Sequence, residues 1–386
     1  MKKRKIVGVT GIRSDYDILS SVFRKIQDHP DLELELIVTG AHLSHSHGYT
    51  VSEIEKDGFV IADRILNLIN SDEEAGRVKG LGIQLSGMVQ TISRTNPDFL
   101  LVLGDREESI TTALLGAYMN IPVAHLCGGD RVVGNVDDQI RHAVTKLAHL
   151  HFVTNSESFD RIIKLGEQLF RVFNVGNPGL DRLVETAELS KGDLFARLGI
   201  QADPNNPYIV LIQHSLSSEV KHAYDQMRTT LKAVEKLGIS TILISPNSDA
   251  GSYQIQNVIN EFASLPNLFI FNHIARLEFV NLLRNAACLL GNSSAGILEA
   301  PILKLPVVNV GNRQKQRLEA GNVEFVPHDI DAICQAVHKA VYDEGYRQKI
   351  AECHNPYGDG HSSQRIADIL ATTPINTALL IKEITY

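Results

Sequence analysis

The chain has few cysteines, and they form no recognisable pattern. Cys127, Cys288, Cys334 and Cys353 are scattered over 386 residues without a CxxC pair. This spacing excludes the disulfide framework of a small secreted domain. We therefore expect a cytoplasmic protein.

Long apolar runs are also missing. The longest runs have the length of a strand and fall far short of the roughly 20 residues that a membrane-spanning helix needs. The basic start MKKRKIVGVT is followed by Gly11, Arg13 and Asp15, which interrupt the apolar segment too early for a signal peptide. The sequence predicts neither a membrane anchor nor a secretory leader.

Basic residues are fewer than acidic residues, 37 against 45. The formal net charge is −8, and no basic block or stripe occurs, which argues against nucleic acid as a main partner. Apolar residues make up 44% and charged residues 21%, as in ordinary globular proteins. Because 386 residues exceed what one core usually supports, we expect two domains.

Strand-length apolar segments alternate with helical segments along the whole chain. Continuous apolar runs such as KIVGVT and YIVLIQ are typical of parallel strands that are buried on both faces, and LPVVNV is the last predicted strand. The alternation predicts two Rossmann-like parallel α/β domains with ligand groups at facing strand ends. The predicted boundaries are 1–185 for the N-terminal domain, 186–206 for a linker helix and loop, 207–360 for the C-terminal domain, and 361–386 for C-terminal helices that pack back toward the N-terminal domain.

Charged side chains follow two consecutive apolar strands of the first half. LVLGDREES carries Asp105 and Arg106, and HLCGGD carries His125 and Asp130, with Asp137 at the start of the next helix. Open α/β sheets bind ligands at the carboxyl ends of their strands. Helix capping explains one aspartate but not this crowding, so we expect the chemistry here.

Two glycine-containing turns before helices are suited to bind anions. GIRSD places Arg13 beside a helix start, although it is not the GxGxxG of a dinucleotide site, and GNSSAG offers Ser293 and Ser294. In the second half, polar residues recur at five successive strand ends, namely His214, Asn247, His273, Ser293 and Arg313. Helix capping is the alternative, but this recurrence favours a lined binding edge.

A loop rich in histidine follows the second predicted strand. TGAHLSHSHGYT contains His42, His45 and His47. Without a nearby cysteine or an HExxH pattern, this spacing is weak support for zinc, so no metal site is predicted.

These motifs together resemble the UDP-N-acetylglucosamine 2-epimerases over nearly the whole chain. The matching segments are RSDY at Arg13, VTGAHLS, LGDR at Asp105, GGD with DDQIRHAVTKLAHLH, QH at His214, SPNSDAGS, GNSS at Ser293, GNRQ at Arg313 and NPYGDG. The RHAVTKLAHLH segment with its preceding acids is most similar to the hydrolysing branch used in sialic acid and related nonulosonate synthesis. The resemblance implies a two-domain glycosyltransferase-B fold, with the active site in a cleft between domains.

The resemblance also implies a reaction without an external cofactor. UDP-N-acetylglucosamine would lose UDP to give 2-acetamidoglucal, and hydration would give N-acetylmannosamine. Alternatives with the same fold are hydrolysis of a UDP-2,4-diacetamido-2,4,6-trideoxy sugar of the legionaminic acid route, epimerisation without hydrolysis, and glycosyl transfer. A sensor that binds UDP without catalysis is the non-enzymatic alternative. The implied partners are the UDP-sugar, the UDP product and further copies of the chain in a homodimer or homotetramer.

By matching position, the resemblance implies catalytic roles for Asp105, Asp137 and His214. Some members carry a catalytic glutamate where this chain has Cys127, so Asp130 is added as a candidate to share that role. The implied substrate-binding residues are Arg13, Ser14, Asp15, His42, Arg106, His125, Asp181, Asn247, His273, Ile274, Ser293, Ser294, Glu299 and Arg313. Among these, Arg13, both serines and Arg313 would hold the diphosphate. Glu299 would bind the ribose, and His273 with Ile274 would flank the uracil.

Overall fold

The structure is a computed structural model that describes residues 3–69, 74–131, 136–246 and 251–386. The chain divides into two compact units. Unit 1 contains Met1–Arg182 and Tyr357–Tyr386, and unit 2 contains Leu183–Pro356. Within the described ranges, no helix is long and apolar enough to cross a membrane.

Each unit is built on one parallel sheet. The strands of unit 1 are β1 (Arg4–Thr10), β2 (Leu32–Thr39), β3 (Ile61–Ile65), β4 (Phe99–Leu103), β5 (Val123–Leu126), β6 (Leu150–Val153) and β7 (Val172–Asn174). The strands of unit 2 are β8 (Tyr208–Ile212), β9 (Ser240–Ile244), β10 (Leu268–Phe271), β11 (Cys288–Gly291), β12 (Val307–Val310) and β13 (Val323–Val326).

The helices connect these strands. They are α1 (Arg13–Asp28), α2 (Val51–Lys56), α3 (Glu74–Thr95), α4 (Glu107–Met119), α5 (Asp137–Leu147), α6 (Ser156–Lys164), α7 (Asp181–Glu185), α8 (Lys191–Leu198), α9 (Ala223–Leu237), α10 (Ser252–Glu261), α11 (Arg276–Asn285), α12 (Ala295–Leu298), α13 (Ile330–Tyr342), α14 (Glu344–Ala351), α15 (Ser362–Thr372) and α16 (Thr377–Leu380).

The strand order places a reversal in each sheet. Unit 1 has the order β3-β2-β1-β4-β5-β6-β7, and unit 2 has the order β10-β9-β8-β11-β12-β13. The chain therefore proceeds outward in opposite directions from the β1/β4 pair and from the β8/β11 pair. A crevice forms at such a switch point, outside the carboxyl ends of the two central strands, and open α/β sheets bind ligands there.

Helices cover both faces of each sheet, which explains the wholly apolar strands. In β4, Phe99 and Leu101 join one apolar cluster while Leu100 and Val102 join the cluster on the opposite face. Successive side chains of a strand point to opposite faces, so a strand covered on both sides must be apolar at every position. This arrangement confirms the predicted fold class of two Rossmann-like parallel domains.

The structure also differs from the predicted elements. The strands β3 and β13 were not predicted, because β3 contains charged residues and both lie at a sheet edge, where half of the surface is open. Residues 186–206, predicted as a linker, belong to unit 2, since Leu194 and Phe195 of α8 pack into its core. The C-terminal residues 357–386 belong to unit 1.

The chain terminus is fixed to unit 1 by buried cations. The guanidinium of Arg171 donates to the carbonyls of Ala378 (2.7 Å) and Leu379 (2.6 Å). The ammonium of Lys382 donates to the carbonyls of Lys146 (2.8 Å) and Ala148 (2.5 Å) at the end of α5. A cation at a helix C-terminus satisfies carbonyls that have no partner in the helix. The terminus thereby holds α5, which carries part of the candidate site.

Candidate active site

An ion pair lies beside the switch point of unit 1. Asp105 follows β4, and its carboxylate accepts a hydrogen bond from the guanidinium of Arg141 in α5. Arg141 also donates to the carbonyl of Cys127 at 2.6 Å, so one side chain ties the ends of β4 and β5 together. Burial raises the pKa of Asp105, the charge of Arg141 opposes this shift, and the charge of Asp137 adds to it. Burial and the charge of Asp137 thus favour the protonated form of this carboxyl, and Arg141 favours the ionised form.

Cys127 and Asp130 both lie in the loop after β5, and their side chains differ in chemistry. Cys127 has the left-handed φ of 59° and is 8% exposed, and burial raises the pKa of its thiol. A neutral buried thiol is a poor nucleophile and a poor base. Asp130 accepts hydrogen bonds from the hydroxyls of Thr154 (2.6 Å) and Ser158 (2.7 Å), while burial raises its pKa. Of these two groups, the Asp130 carboxyl is therefore the better candidate for proton exchange.

The β1 loop brings Asp15 to the same edge. Asp15 lies in the first turn of α1, with its Oδ2 3.9 Å from Nε of Arg106. Burial raises the pKa of Asp15 to about 7, with Arg106 opposing the shift and the charges of Glu108 and Asp105 adding to it. Arg13 and Ser14 are exposed beside it, and Arg13 lies 3.7 Å from Glu53. The loop therefore offers an accessible cation next to a carboxyl that titrates near neutrality.

Three predicted substrate-binding residues have hydrogen-bond partners within unit 1, and two of them are histidines. His42 is fully buried between the hydroxyls of Thr10 (3.1 Å) and Thr50 (2.7 Å), and burial lowers its pKa to about 4. His125 is also fully buried, with Nε2 2.7 Å from the carbonyl of Gly104, and burial lowers its pKa to about 3. Both imidazole rings are therefore neutral and hydrogen-bonded beneath the loops at the strand ends.

Asp181, the third, has a different internal partner. Its carboxylate is 1% exposed and accepts hydrogen bonds from the amides of Ser362 (3.1 Å) and Ser363 (2.5 Å). These amides begin α15, where free N–H groups and the helix dipole favour a negative charge. Asp181 is thus the cap that joins the returning C-terminal segment to unit 1.

Asp137 lies where the sequence predicts it, at the start of α5. It and Asp138 are half-buried in the first turn, a favourable position for a carboxylate relative to the helix dipole. Among the residues that the structure describes, no group of three or more histidine, cysteine, aspartate or glutamate side chains is arranged to hold a metal ion.

In unit 2, one asparagine organises the switch point. The side chain of Asn292, after β11, accepts from the amide of His214 (2.7 Å) and donates to its carbonyl (2.9 Å), which fixes the loop after β8. The carbonyl of Asn292 accepts from Arg313 at 3.1 Å, in the loop after β12. Three strand ends are therefore joined around this residue, with His214 and Arg313 on either side.

Other predicted residues of unit 2 that the structure describes follow β10 and β11. Ser293 and Ser294 are half-buried before α12, which is only one turn long, so its dipole contributes less than the predicted longer helix would. Glu299 pairs with Arg276 at 3.2 Å, and burial raises the pKa of Glu299. His273 is exposed and Ile274 buried after β10, while Asn247 lies outside the described residues.

Three site residues were not predicted from the sequence. Arg141 was visible in the IRHAVTKL segment, but its pairing with Asp105 crosses 36 residues. Glu108 is a buried carboxyl within LGDREES. Asn292 precedes the two serines of GNSS, and the polar pattern of that turn was its only sequence signal.

Comparison with known proteins gives the family. The family model described as UDP-N-acetylglucosamine 2-epimerase matches residues 24–371. The chain belongs to the UDP-N-acetylglucosamine 2-epimerase family. It is 37% identical over 379 residues to the hydrolysing UDP-N,N'-diacetylbacillosamine 2-epimerase of Legionella pneumophila, covering 98% of both chains. It is 33% identical to the hydrolysing GDP/UDP-N,N'-diacetylbacillosamine 2-epimerase of Campylobacter jejuni, covering 88% of both.

The fold of this epimerase-family chain is shared with solved structures. The UDP-N-acetylglucosamine 2-epimerase of Neisseria meningitidis, solved with UDP-N-acetylglucosamine bound, superposes with a TM-score of 0.75 at 19% identity, over 95% of this chain and 99% of that one. The predicted resemblance, including the hydrolysing branch, is confirmed, and the chain is an enzyme of that family with a glycosyltransferase-B type fold.

Proposed function

We propose that the chain is a hydrolysing 2-epimerase that acts on UDP-2,4-diacetamido-2,4,6-trideoxyglucose, the diacetylbacillosamine type of UDP-sugar, and releases UDP. The observation that carries this proposal is 37% identity over 98% of both chains to a relative named for that substrate and for hydrolysis. The sequence analysis gave UDP-N-acetylglucosamine as the main substrate and the diacetamido sugar as an alternative. The proposal favours the alternative.

The carboxyl groups of unit 1 suit the proton steps of this reaction. Elimination removes the C2 proton while the bond from C1 to the UDP oxygen breaks, and hydration then returns a proton to C2 and a hydroxyl to C1. Such steps need carboxyls whose pKa lies near the working pH. Burial raises the pKa of both Asp105 and Asp130, so we assign the removal of the C2 proton to these groups, with Asp137 beside them.

The edge of unit 2 suits the nucleotide. We assign the diphosphate to Arg313 and the hydroxyls of Ser293 and Ser294. Glu299, half-buried and paired with Arg276 at 3.2 Å, would accept the ribose hydroxyls. His273 and Ile274 would flank the base, and His214, fixed by Asn292, would act on the sugar side. The homodimer or homotetramer implied by the resemblance stays a prediction.

Product analysis in D2O tests the substrate. The protein is incubated separately with UDP-N,N'-diacetylbacillosamine and with UDP-N-acetylglucosamine, and both reactions are followed by NMR. We expect UDP and the free 2,4-diacetamido-2,4,6-trideoxymannose with deuterium at C2. The kcat/KM for the diacetylated substrate should exceed that for UDP-N-acetylglucosamine by at least about 10-fold, because a missing acetamido contact costs about 1–3 kcal/mol.

Each other outcome contradicts one part of the proposal. Preference for UDP-N-acetylglucosamine would indicate that the enzyme acts in sialic acid synthesis. A UDP-linked epimer would indicate the non-hydrolysing reaction, and UDP binding without turnover would indicate a sensor. For the role of Asp105, the variant Asp105→Asn should lower kcat by about 10²–10⁴-fold while UDP still binds.

A further inference from the structure

Asp15 and Glu108 form a second pair of carboxyls, and the charge of Asp105 acts on Asp15. Nε of Arg106 is 3.9 Å from Asp15 and 3.8 Å from Oε2 of Glu108. Both distances are too long for a direct hydrogen bond. In the part of the chain that the structure describes, neither this Nε nor this Oε2 has a hydrogen-bond partner, although both atoms are buried. The side chain of Asp15 is 18% exposed and that of Glu108 only 9%, so a substrate can reach the first carboxyl but not the second.

The loops around Glu108 are shaped to contain its carboxyl. A Cβ on Gly11 would lie 1.7 Å from Oε1, and one on Gly40, whose φ is +58°, would lie 3.2 Å from it. The hydroxyl of Thr39 donates to the same oxygen at 3.3 Å. The ends of β1, β2 and β4 thus converge on one acid. An acid buried with one oxygen unpartnered is costly, and such a cost is expected where the group has a function.

The charges around this pair favour a retained proton. Glu107, the next acid in the sequence, is bonded to Arg77, and the hydrogen bond from Arg77 lowers the pKa of Glu107 against the effect of burial. The guanidinium of Arg106 is the cation nearest to Asp15 and Glu108, and its Nη2 also lies 3.9 Å from Oε2 of Glu107. Like-charged carboxyls that share one cation do not both ionise readily. Burial raises the pKa of both groups, that of Asp15 to about 7.

We propose that Asp15 is a catalytic acid of the 2-epimerase reaction, supplying the proton that C2 receives, and that Glu108 is the positioning residue that keeps Asp15 protonated. The inference rests on the proposed function. It supplies an acid that does not depend on Cys127, whose thiol has a pKa that is raised by burial and by the charges of Asp130, Asp105 and Asp15.

The proton balance closes within this arrangement. The base takes the C2 proton as the C1–oxygen bond to UDP breaks, and the electron pair of the C–H bond forms the C1–C2 double bond. Asp15 then gives its proton to C2 while the oxygen of a water molecule bonds to C1. The proton released by that water recharges the Asp15–Glu108 pair, and the base returns its own proton to solvent.

The first test measures the pKa of Asp15 directly and needs no turnover. The protein is labelled with carbon-13 at the aspartate carboxyls, and the Asp15 signal is assigned by its loss in Asp15→Asn. We expect titration near pH 7 in the native chain, and a pKa lower by about one pH unit in Glu108→Gln, because a neighbouring negative charge is removed. The groups facing Asp15 are Arg106, Glu108, Asp105, Ser14 and the thiol of Cys127. Titration of Asp15 near pH 4 in the native chain would overturn the proposal, whatever the substrate.

The second test separates the two half-reactions. In Asp15→Asn, formation of free sugar should fall by about 10²–10⁴-fold while UDP and the glycal accumulate in quenched time courses, because elimination proceeds and protonation at C2 does not. Equal loss of UDP release and sugar formation would overturn the assignment. If the native protein turns over none of the UDP-sugars, the proposed function fails, and the NMR titration still decides whether Asp15 holds a proton.

The pH profile tests the positioning role. Activity that needs protonated Asp15 is lost as the pH rises through its pKa, so Glu108→Gln should move this basic limb of kcat/KM to lower pH. Glu55→Gln, which removes an acid from the exposed pair with Arg64, is the control and should leave the limb in place. Glu108→Asp, which keeps the charge, should restore it. A Glu108→Gln variant whose rate falls equally at every pH would show a merely structural role.

Discussion

Removal of Arg141 should destabilise unit 1 in a way that depends on pH. The side chains of Arg141 and Asp105 are 8% and 15% exposed, so Arg141→Met leaves a nearly buried carboxylate without its cation. Leaving one member of a buried pair alone costs about 3–5 kcal/mol. Arg141→Met also removes the donor to the Cys127 carbonyl, which adds about 1 kcal/mol that does not vary with pH.

Protonation of Asp105 limits this cost. Holding an aspartate of ordinary pKa (about 3.9) neutral costs about 4 kcal/mol at pH 7 and about 1.5 kcal/mol at pH 5. Without Arg141, the burial that already raises the pKa of Asp105 acts unopposed, and an acid whose folded pKa is raised loses stability as pH rises and regains it as pH falls. The deficit in the free energy of unfolding should therefore be about 5 kcal/mol at pH 7, of which about 1 kcal/mol is the lost hydrogen bond, and about 2.5 kcal/mol smaller at pH 5.

Urea unfolding followed by circular dichroism measures this deficit, with the transition of unit 1 fitted separately because a chain of two units need not unfold in one step. The double variant Arg141→Met/Asp105→Asn should recover the pH-dependent part. The control Arg64→Met breaks the exposed Arg64–Glu55 pair (2.6 Å) and should cost less than about 1 kcal/mol at either pH. A loss in Arg141→Met that is equal at pH 5 and pH 7 would refute the reasoning about Asp105.

Cys127→Ala should retain kcat within about threefold, since burial raises the pKa of the thiol and keeps it neutral; a loss of more than about 100-fold would assign the sulfur a chemical role. Gly291→Ala should destabilise unit 2 by about 3 kcal/mol or more in thermal unfolding, because φ is +120° and the new Cβ would lie 2.1 Å from the carbonyl oxygen of Ile212. Gly238→Ala, with open space and a φ of +64°, is its control and should cost about 1 kcal/mol. Asp181→Ala should lower the free energy of unfolding by about 1–2 kcal/mol through loss of the α15 cap, without changing KM. A raised KM with unchanged stability would favour the substrate-binding role that the family resemblance implies.

Several features of this protein are determined locally by the sequence. A strand such as FLLVL is apolar at every position because both faces of its sheet are covered, and this pattern is visible in five consecutive letters. Alternation of such strands with helices determines a parallel α/β fold, and the parallel direction places residues after each strand at one edge. For this reason the sequence alone predicts that Asp105, Asp130 and Ser293 follow strands at one edge of a sheet, where candidate site residues are expected.

Tertiary structure alone decided which of these residues meet. The Arg141–Asp105 pair depends on how α5 packs beside β4, and the cap that Asp181 provides joins residues 181 positions apart. The sequence around Glu108 is typical of an exposed helix N-terminus. The close approach of Gly11 and Gly40 nevertheless makes Glu108 a buried acid. Hydrophobic periodicity is encoded within a few residues, whereas burial and pKa depend on the register of distant strands and on the loops that cover them.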